Sequence, residues 1–249
     1  MAHKTLISGT AYSVTGGREL IGGTGYGCKA GKALIGGTAF IVPFSKGIPL
    51  STVTPGAILY LNESGILVPF YIAKHDYESV LNGAGRTLVV RKENYDERPW
   101  DTTAKNNYPD STMDAWLNSE YLQLLSEATK AGISETKFYY SSMIRPLGIQ
   151  TMQRRVFTLS CTELNPISSP SYVLAEGNAL PIASILAENS KQWTRSPYTG
   201  NSYEAVYFGS GRKAYKKSAG WPAESRPVFT LPDTTTVVAN ADGTYSLAS

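Results

Sequence analysis

Two histidines, His3 and His75, and two cysteines, Cys28 and Cys161, are all the imidazole and thiol that the 249-residue chain offers for catalysis. A thiol nucleophile needs an imidazole base and a carboxylate to orient it. The only such combination would join Cys161 to His75, and no spacing singles those two out. CxxC, HxH and HExxH are all absent, which starves a zinc site of ligands. The run "GGTGYGCKAGK" has neither GxxxxGK followed by Ser or Thr nor a GxGxxG that opens a helix, so it reads as a turn and not a phosphate cradle. Any two of the twenty acidic residues could meet as a hydrolytic pair, as glycosidic chemistry requires. The one local cluster, Glu93, Asp96, Glu97 and Asp101 in "KENYDERPWD", alternates with Lys92 and Arg98 and reads as a solvated loop with ion pairs. No catalytic residue, metal or cofactor is expected.

Binding chemistry is better represented. Tyr198, Tyr203, Tyr207, Phe208, Tyr215 and Trp221 stand among Ser, Gly, Asn and Thr, with Arg212, Lys213, Lys216 and Lys217 beside them. Rigid amphipathic aromatics among small adaptable polar residues have the makeup of a paratope. Tyr198, Tyr203, Tyr207, Ser210, Arg212, Tyr215 and Trp221 are the candidate ligand-binding residues. The alternation in "YEAVYFGSG" also fits a strand pair whose inward aromatics fill a core. Arg195 and Arg226, next to or near prolines at the flanks, read as framework guanidinium groups that tie loop bases to carbonyls or carboxylates.

The elements that must position this region are mostly strands. Gly (23), Tyr (16) and Pro (14) are abundant, which favours short strands and turns over long helices. "KTLISGTAY", "RELIGGTGY" and "KALIGGTAF" repeat with a period of 14, placing Leu6, Leu20 and Leu34 in register with Tyr12, Tyr26 and Phe40. That period predicts one short strand plus a turn per repeat, in a meander or solenoid. Repeats that cannot fill a core alone stack on a neighbour, so these six positions are predicted to mediate oligomerisation; a flexible glycine-rich leader is the alternative. The Pro/Gly cluster after Pro43 marks a boundary, giving 1–47 as the repeat element, 48–232 as the main domain and 233–249 as a terminal hairpin tail.

Within the main domain, "AILYLN" and "GILVPFYIA" form a predicted hairpin turning at Glu63, Ser64 and Gly65, with Pro69 demoting its strand to an edge or a bulge. "RTLVVRK", "FYYSS" and "RVFTLS" read as further strands. "DSTMDAWLNSEYLQLLSEATKAG" reads as one amphipathic helix, capped by Asp110 or Ser111 and closed by Gly132, with Trp116 in the core. "LPIASILAEN" reads as a short helix. The class is therefore α+β and β-rich. A net charge of +3, without a basic run, argues against nucleic acid. No apolar stretch suggests a membrane span or signal peptide, so synthesis in a cytoplasm is expected, with both cysteines as free thiols.

"WTRSP", "EAVYFGSG" and "ESRPVFTLP", together with "STMDAWLNSEY" and "RVFTLSCTEL", resemble a domain of unknown function found in phages and prophages of Gram-positive gut bacteria. The leader is similar to repeats that precede this domain in phage tail proteins. The resemblance covers roughly 54–232. It implies a C-type-lectin-like fold, no enzymatic activity, a place on the virion, and attachment to a protein or glycan receptor on the bacterial surface. It also implies a homo-oligomer, a trimer, joined to other virion proteins through the N-terminal repeats. Trp193, Arg195, Ser196 and Pro197 correspond to its first motif, Arg226 and Pro227 to its last, and Trp116, Leu117 and Asn118 to its helix motif. Calcium-dependent sugar binding is not implied, since EPN and WND are absent. Some relatives are targets of diversity-generating retroelements; by that likeness Tyr203, Tyr207, Ser210, Arg212 and Tyr215 would vary, while Lys213, Lys216, Lys217 and Trp221 would stay fixed. A decoration protein, its aromatic loop packed on a neighbouring subunit, is the rival expectation.

Overall fold

A computed structural model describes residues 47–188 and 191–248, and the backbone alone of strands within 3–43. The chain forms two compact units, one built on the N-terminal strands and the other spanning Ile48–Leu247.

The first unit holds β1 (His3–Ile7), β2 (Thr10–Val14), β3 (Arg18–Ile21), β4 (Thr24–Gly27), β5 (Ala30–Ile35) and β6 (Thr38–Pro43). They pair as three antiparallel hairpins in the same register: Leu6 opposite Ala11, Leu20 opposite Gly25, Leu34 opposite Ala39. Each repeat is therefore a hairpin and not the single strand expected from its period. The two residues separating the paired strands are Ser8-Gly9, Gly22-Gly23 and Gly36-Gly37, compositions that two-residue hairpin connections favour. The side chains of Leu6, Tyr12, Leu20, Tyr26, Leu34 and Phe40, and Cys28, lie outside the described residues.

In the second unit the strands are β7 (Ile48–Pro49), β8 (Ile58–Glu63), β9 (Ile66–Lys74), β10 (Arg86–Arg91), β11 (Glu97–Pro99), β12 (Thr136–Ser142) and β13 (Gly148–Arg154). They are followed by β14 (Val156–Phe157), β15 (Gln192–Pro197), β16 (Glu204–Gly209), β17 (Lys213–Ser218), β18 (Pro222–Glu224), β19 (Val228–Pro232), β20 (Thr236–Ala239) and β21 (Tyr245–Leu247). The main sheet runs β14-β19-β10-β9-β8-β21-β20-β7, flanked by the pairs β11-β18 and β12-β13 and by the three-stranded β15-β16-β17. Strands dominate and the helices are few and short, a mixed fold consistent with the β-rich α+β expectation. Among the described residues no helix is long and apolar enough to cross a membrane.

Ser64 and Gly65 both take positive φ, 53° and 83°, the geometry of a two-residue hairpin turn whose twist matches the flanking strands. β9 is interior, between β8 and β10, so Pro69 does not demote it to an edge; the β9-β10 bulge falls elsewhere, at Leu88/Val89. Lys92 N–H donates to Pro69 O at 2.9 Å. The return bond, which proline cannot give, is replaced by Arg226, whose Nη2 donates to Lys92 O at 2.5 Å. The segment 233–249 is not a separate tail: β21 lies parallel to β8 and antiparallel to β20, which in turn pairs with β7. Val237 of β20 is fully buried.

The expected long helix is two helices. Ser111 accepts the Asp114 N–H and starts a run from Thr112 to Leu124 that includes a π turn at Leu117–Tyr121. The run ends at Leu125, which is extended (ψ 144°) and bridges to Glu63 of β8. Ser126 then caps Glu127–Gly132. Helix is broken here because the end of β8 competes for the backbone, with Ser64 N–H donating to Leu124 O and Ser126 N–H to Asn62 O, and a serine stands ready to restart it. "RVFTLS" contributes only the two residues of β14, after which Ser160 and Glu163 form a capping box on Cys161–Leu164. The acidic run is not simply a solvated loop, since Trp100 and Asp101 are buried. Asp101 accepts from Thr103 Oγ1 and the N–H groups of Thr103, Lys105 and Thr112, which hold its carboxyl below the usual range against the cost of burial. Asp96 bonds Arg98 and Ser225.

Candidate functional site

Every residue of β15, "QWTRSP", is buried, so this strand joins the aromatic sheet to the core on both faces. Trp193 and Trp100 are fully buried and exchange indole bonds across the junction, Trp193 Nε1 to Arg98 O at 3.0 Å and Trp100 Nε1 to Thr194 O at 2.7 Å. Trp116 is core, with the Arg98 guanidinium over its ring; Arg98, Trp116 and Glu120 border an open cleft of about 200 Å³. The two framework arginines are buried as well. Arg195 donates to Tyr139 O, Thr158 O and Glu163 Oε2 at 2.8, 2.9 and 2.7 Å, with Glu176 at 3.7 Å. Tyr77 donates to Glu163 at 2.5 Å, while Glu176 accepts from Ser141 N–H and Ser196 Oγ. Arg226 donates to Arg91 O, Lys92 O and Leu186 O. Both guanidinium groups therefore tie loop and strand ends together.

On this base β16 and β17 pair with Tyr207 opposite Tyr215, Val206 opposite Lys216 and Ala205 opposite Lys217. Alternation puts adjacent lysines on opposite faces. Lys217 Nζ lies 4.9 Å from the Tyr207 ring centre and 5.1 Å from that of Trp221. Lys216 instead lies 4.7 Å from Tyr198 and pairs with Glu204 at 3.1 Å. That hydrogen bond to Glu204 raises the Lys216 pKa. Tyr207 Oη donates to Glu224 at 3.1 Å; burial first, and then this carboxylate, push its ionisation up. A Cβ on Gly209 would sit 2.9 Å from the Tyr215 ring, so glycine there leaves the ring its seat.

The candidate ligand residues thus fall into groups. Tyr207, Tyr215 and Trp221 share one face of the sheet around Lys217, with Tyr215 and Trp221 47% and 56% exposed. Tyr198 is half-buried on the other face, where Tyr172 meets it edge-on. Tyr203, 53% exposed, sits in the loop before β16. Ser210 and Arg212 form the β16-β17 turn, Ser210 exposed and Arg212 half-buried at φ 57°. Sequence reasoning missed Asn106, buried, whose Nδ2 reaches the carbonyls of Tyr198, Asn201 and Glu204 at 3.0, 2.9 and 2.7 Å. A residue some ninety positions away carries no local signal. The roles of Lys216 and Lys217 were readable from the period of two in "KAYKKS".

His75 bonds Thr87 and Val53 O, whereas the buried Cys161 donates its backbone N–H to Ser196. Burial first, and then Glu176, push the Cys161 thiol up to about 12, which disarms it as a nucleophile. Among the described residues no group of three His, Cys, Asp or Glu is placed to hold a metal ion.

The family described as Domain of unknown function (DUF6273) matches residues 84–233, more than half of the chain. The chain belongs to that family. The DUF6273 match takes in β10 through β19, and so the aromatic sheet, both arginine motifs and the Asn106 anchor. No curated protein and no solved structure matches the chain.

Proposed function

We propose that the protein is a non-enzymatic structural component of a phage tail, presenting a C-type-lectin-like domain that attaches the virion to a receptor on the bacterial surface. The observation that carries this reading is the exposure of Tyr215 on β17, and of Tyr203 and Trp221 in the segments that flank the sheet, above a foundation that is buried and cross-tied through Trp193 and Arg195. Aromatics held out to solvent on a rigid base lose little entropy when they bind. The phage-like motifs and repeats support the setting on the virion. The hairpin repeats give a homo-oligomer, a trimer, docked to other virion proteins; multivalency then raises a weak single-site affinity by orders of magnitude. The exposure of Tyr203, Ser210 and Tyr215, and the loop or turn placement of the first two, suit positions varied by a retroelement.

The test is adsorption of full-length protein to host cells and to a glycan array, before and after Tyr203, Tyr215 and Trp221 are changed to Ala. Adsorption should fall at least roughly tenfold; undiminished adsorption removes the receptor role of this face. One observation favours a second reading, decoration of capsid or tail. Ile144, Leu147 and Ile149 are exposed at the tip of the β12-β13 hairpin, apolar surface that a neighbouring subunit could cover. Surface labelling of intact particles separates the two: a decoration protein would have Tyr215 and Trp221 protected.

A further inference from the structure

We infer that the face of Lys213, Tyr215, Lys217, Tyr207 and Trp221 takes an anionic saccharide, a sugar polymer whose units carry phosphate or carboxylate. This rests on the display reading above and gives it a ligand chemistry.

Lys213, Tyr215 and Lys217 occupy alternate positions of β17 and therefore one face. Cation, ring and cation follow one another, the two lysine positions about 13 Å apart along the strand. Tyr207 lies across from Tyr215, and Trp221 follows the strand end. Lys213 and Lys217 are in no ion pair among the described residues, unlike Lys216 with its Glu204. Two rings hold the Lys217 ammonium by their quadrupoles, but rings do not neutralise its charge. Its N–H donors stay available to an anion. Exposed flat rings beside these donors suit the apolar C–H faces of sugar rings.

The carboxylates at the border are Glu224, which accepts from Tyr207 Oη, and Glu97, opposite it in the β11-β18 pair. They can accept sugar hydroxyls and disfavour a bare polyanion. Nucleic acid fits less well, because the chain carries only +3 overall and no basic run.

The experiment is biolayer interferometry of the full chain on polygalacturonate, phosphorylated mannan, neutral dextran, inorganic polyphosphate and a single-stranded oligothymidylate. The first two should bind at least roughly tenfold tighter than the other three, with affinity falling as salt rises. Lys217→Met and Trp221→Ala should each lose roughly tenfold on the anionic saccharides, while Lys217→Arg, which keeps a cation on the rings, should retain binding. Thermal melts of these exposed-site variants check folding. Equal binding to dextran, equal binding to polyphosphate or oligothymidylate, or an unchanged Lys217→Met would overturn the inference. Cell adsorption of Trp221→Ala is measured in parallel. Lost adsorption without preference for anionic saccharides sinks the ligand class and leaves display standing. Kept adsorption with collapsed saccharide binding does the reverse.

Discussion

At the scale of single residues, the charged core dominates. Arg195 is fully buried between Glu163 and Glu176, and removing one member of such a set strands the others without a counter-charge. Arg195→Met should cost about 3–5 kcal/mol, read as a lower urea midpoint at an unchanged slope. Asp114 behaves differently: burial outweighs its contact with Arg154 and raises its pKa from 3.8 to about 6. Between those values the folded chain binds more protons than the unfolded one, so this group lowers stability as pH rises from 3.8 to 6. Asp114→Asn lacks that component. Its stability relative to wild type should therefore climb across that window and level off above it; a relative decline would mean that attraction to Arg154 outweighs burial. Cys161, with its thiol held protonated, should resist iodoacetamide at pH 8 in the folded protein and react once urea is added, a difference visible by mass spectrometry of its peptide.

At the scale of elements, Asn106 holds the loop that presents Tyr203, and Ser126 restarts the broken helix. Asn106→Ala should speed amide exchange through residues 198–204 while leaving β10 protected. Ser126→Ala should cost about 1 kcal/mol in urea denaturation. Much at this scale was legible locally: the Ser64-Gly65 turn, the Ser111 cap, the alternation of β16, and the boundary near residue 47 all rest on neighbouring residues. What escaped prediction depends on distant partners. The helix stops at Leu125 because Glu63 pairs there, and Pro69 stays interior because Arg226 stands in for its missing donor. Tyr198 and Trp221 looked like one group because they are close in sequence, yet the pleat separates them. The 14-residue period was visible, but two short strands and one strand with a turn fill it equally well.

At the scale of the whole molecule, the two units invite one comparison: the mass in solution of the full chain against residues 48–248, by light scattering. If the hairpin repeats assemble the protein, the full chain is an oligomer and the shorter one a monomer. Monomers in both cases would move weight toward decoration. The sheet order has a further consequence, for the timing of synthesis. Because β21 sits between β8 and β20, residues 58–63 are made early, yet their neighbour on that side emerges some 180 residues later. At about 5–20 residues per second, the ribosome holds the chain for roughly 9 to 36 seconds with that strand edge bare, the kind of edge that templates aggregation. The yield of folded protein would then hinge less on how stable the finished domain is than on how well β8 is sheltered while the rest is translated.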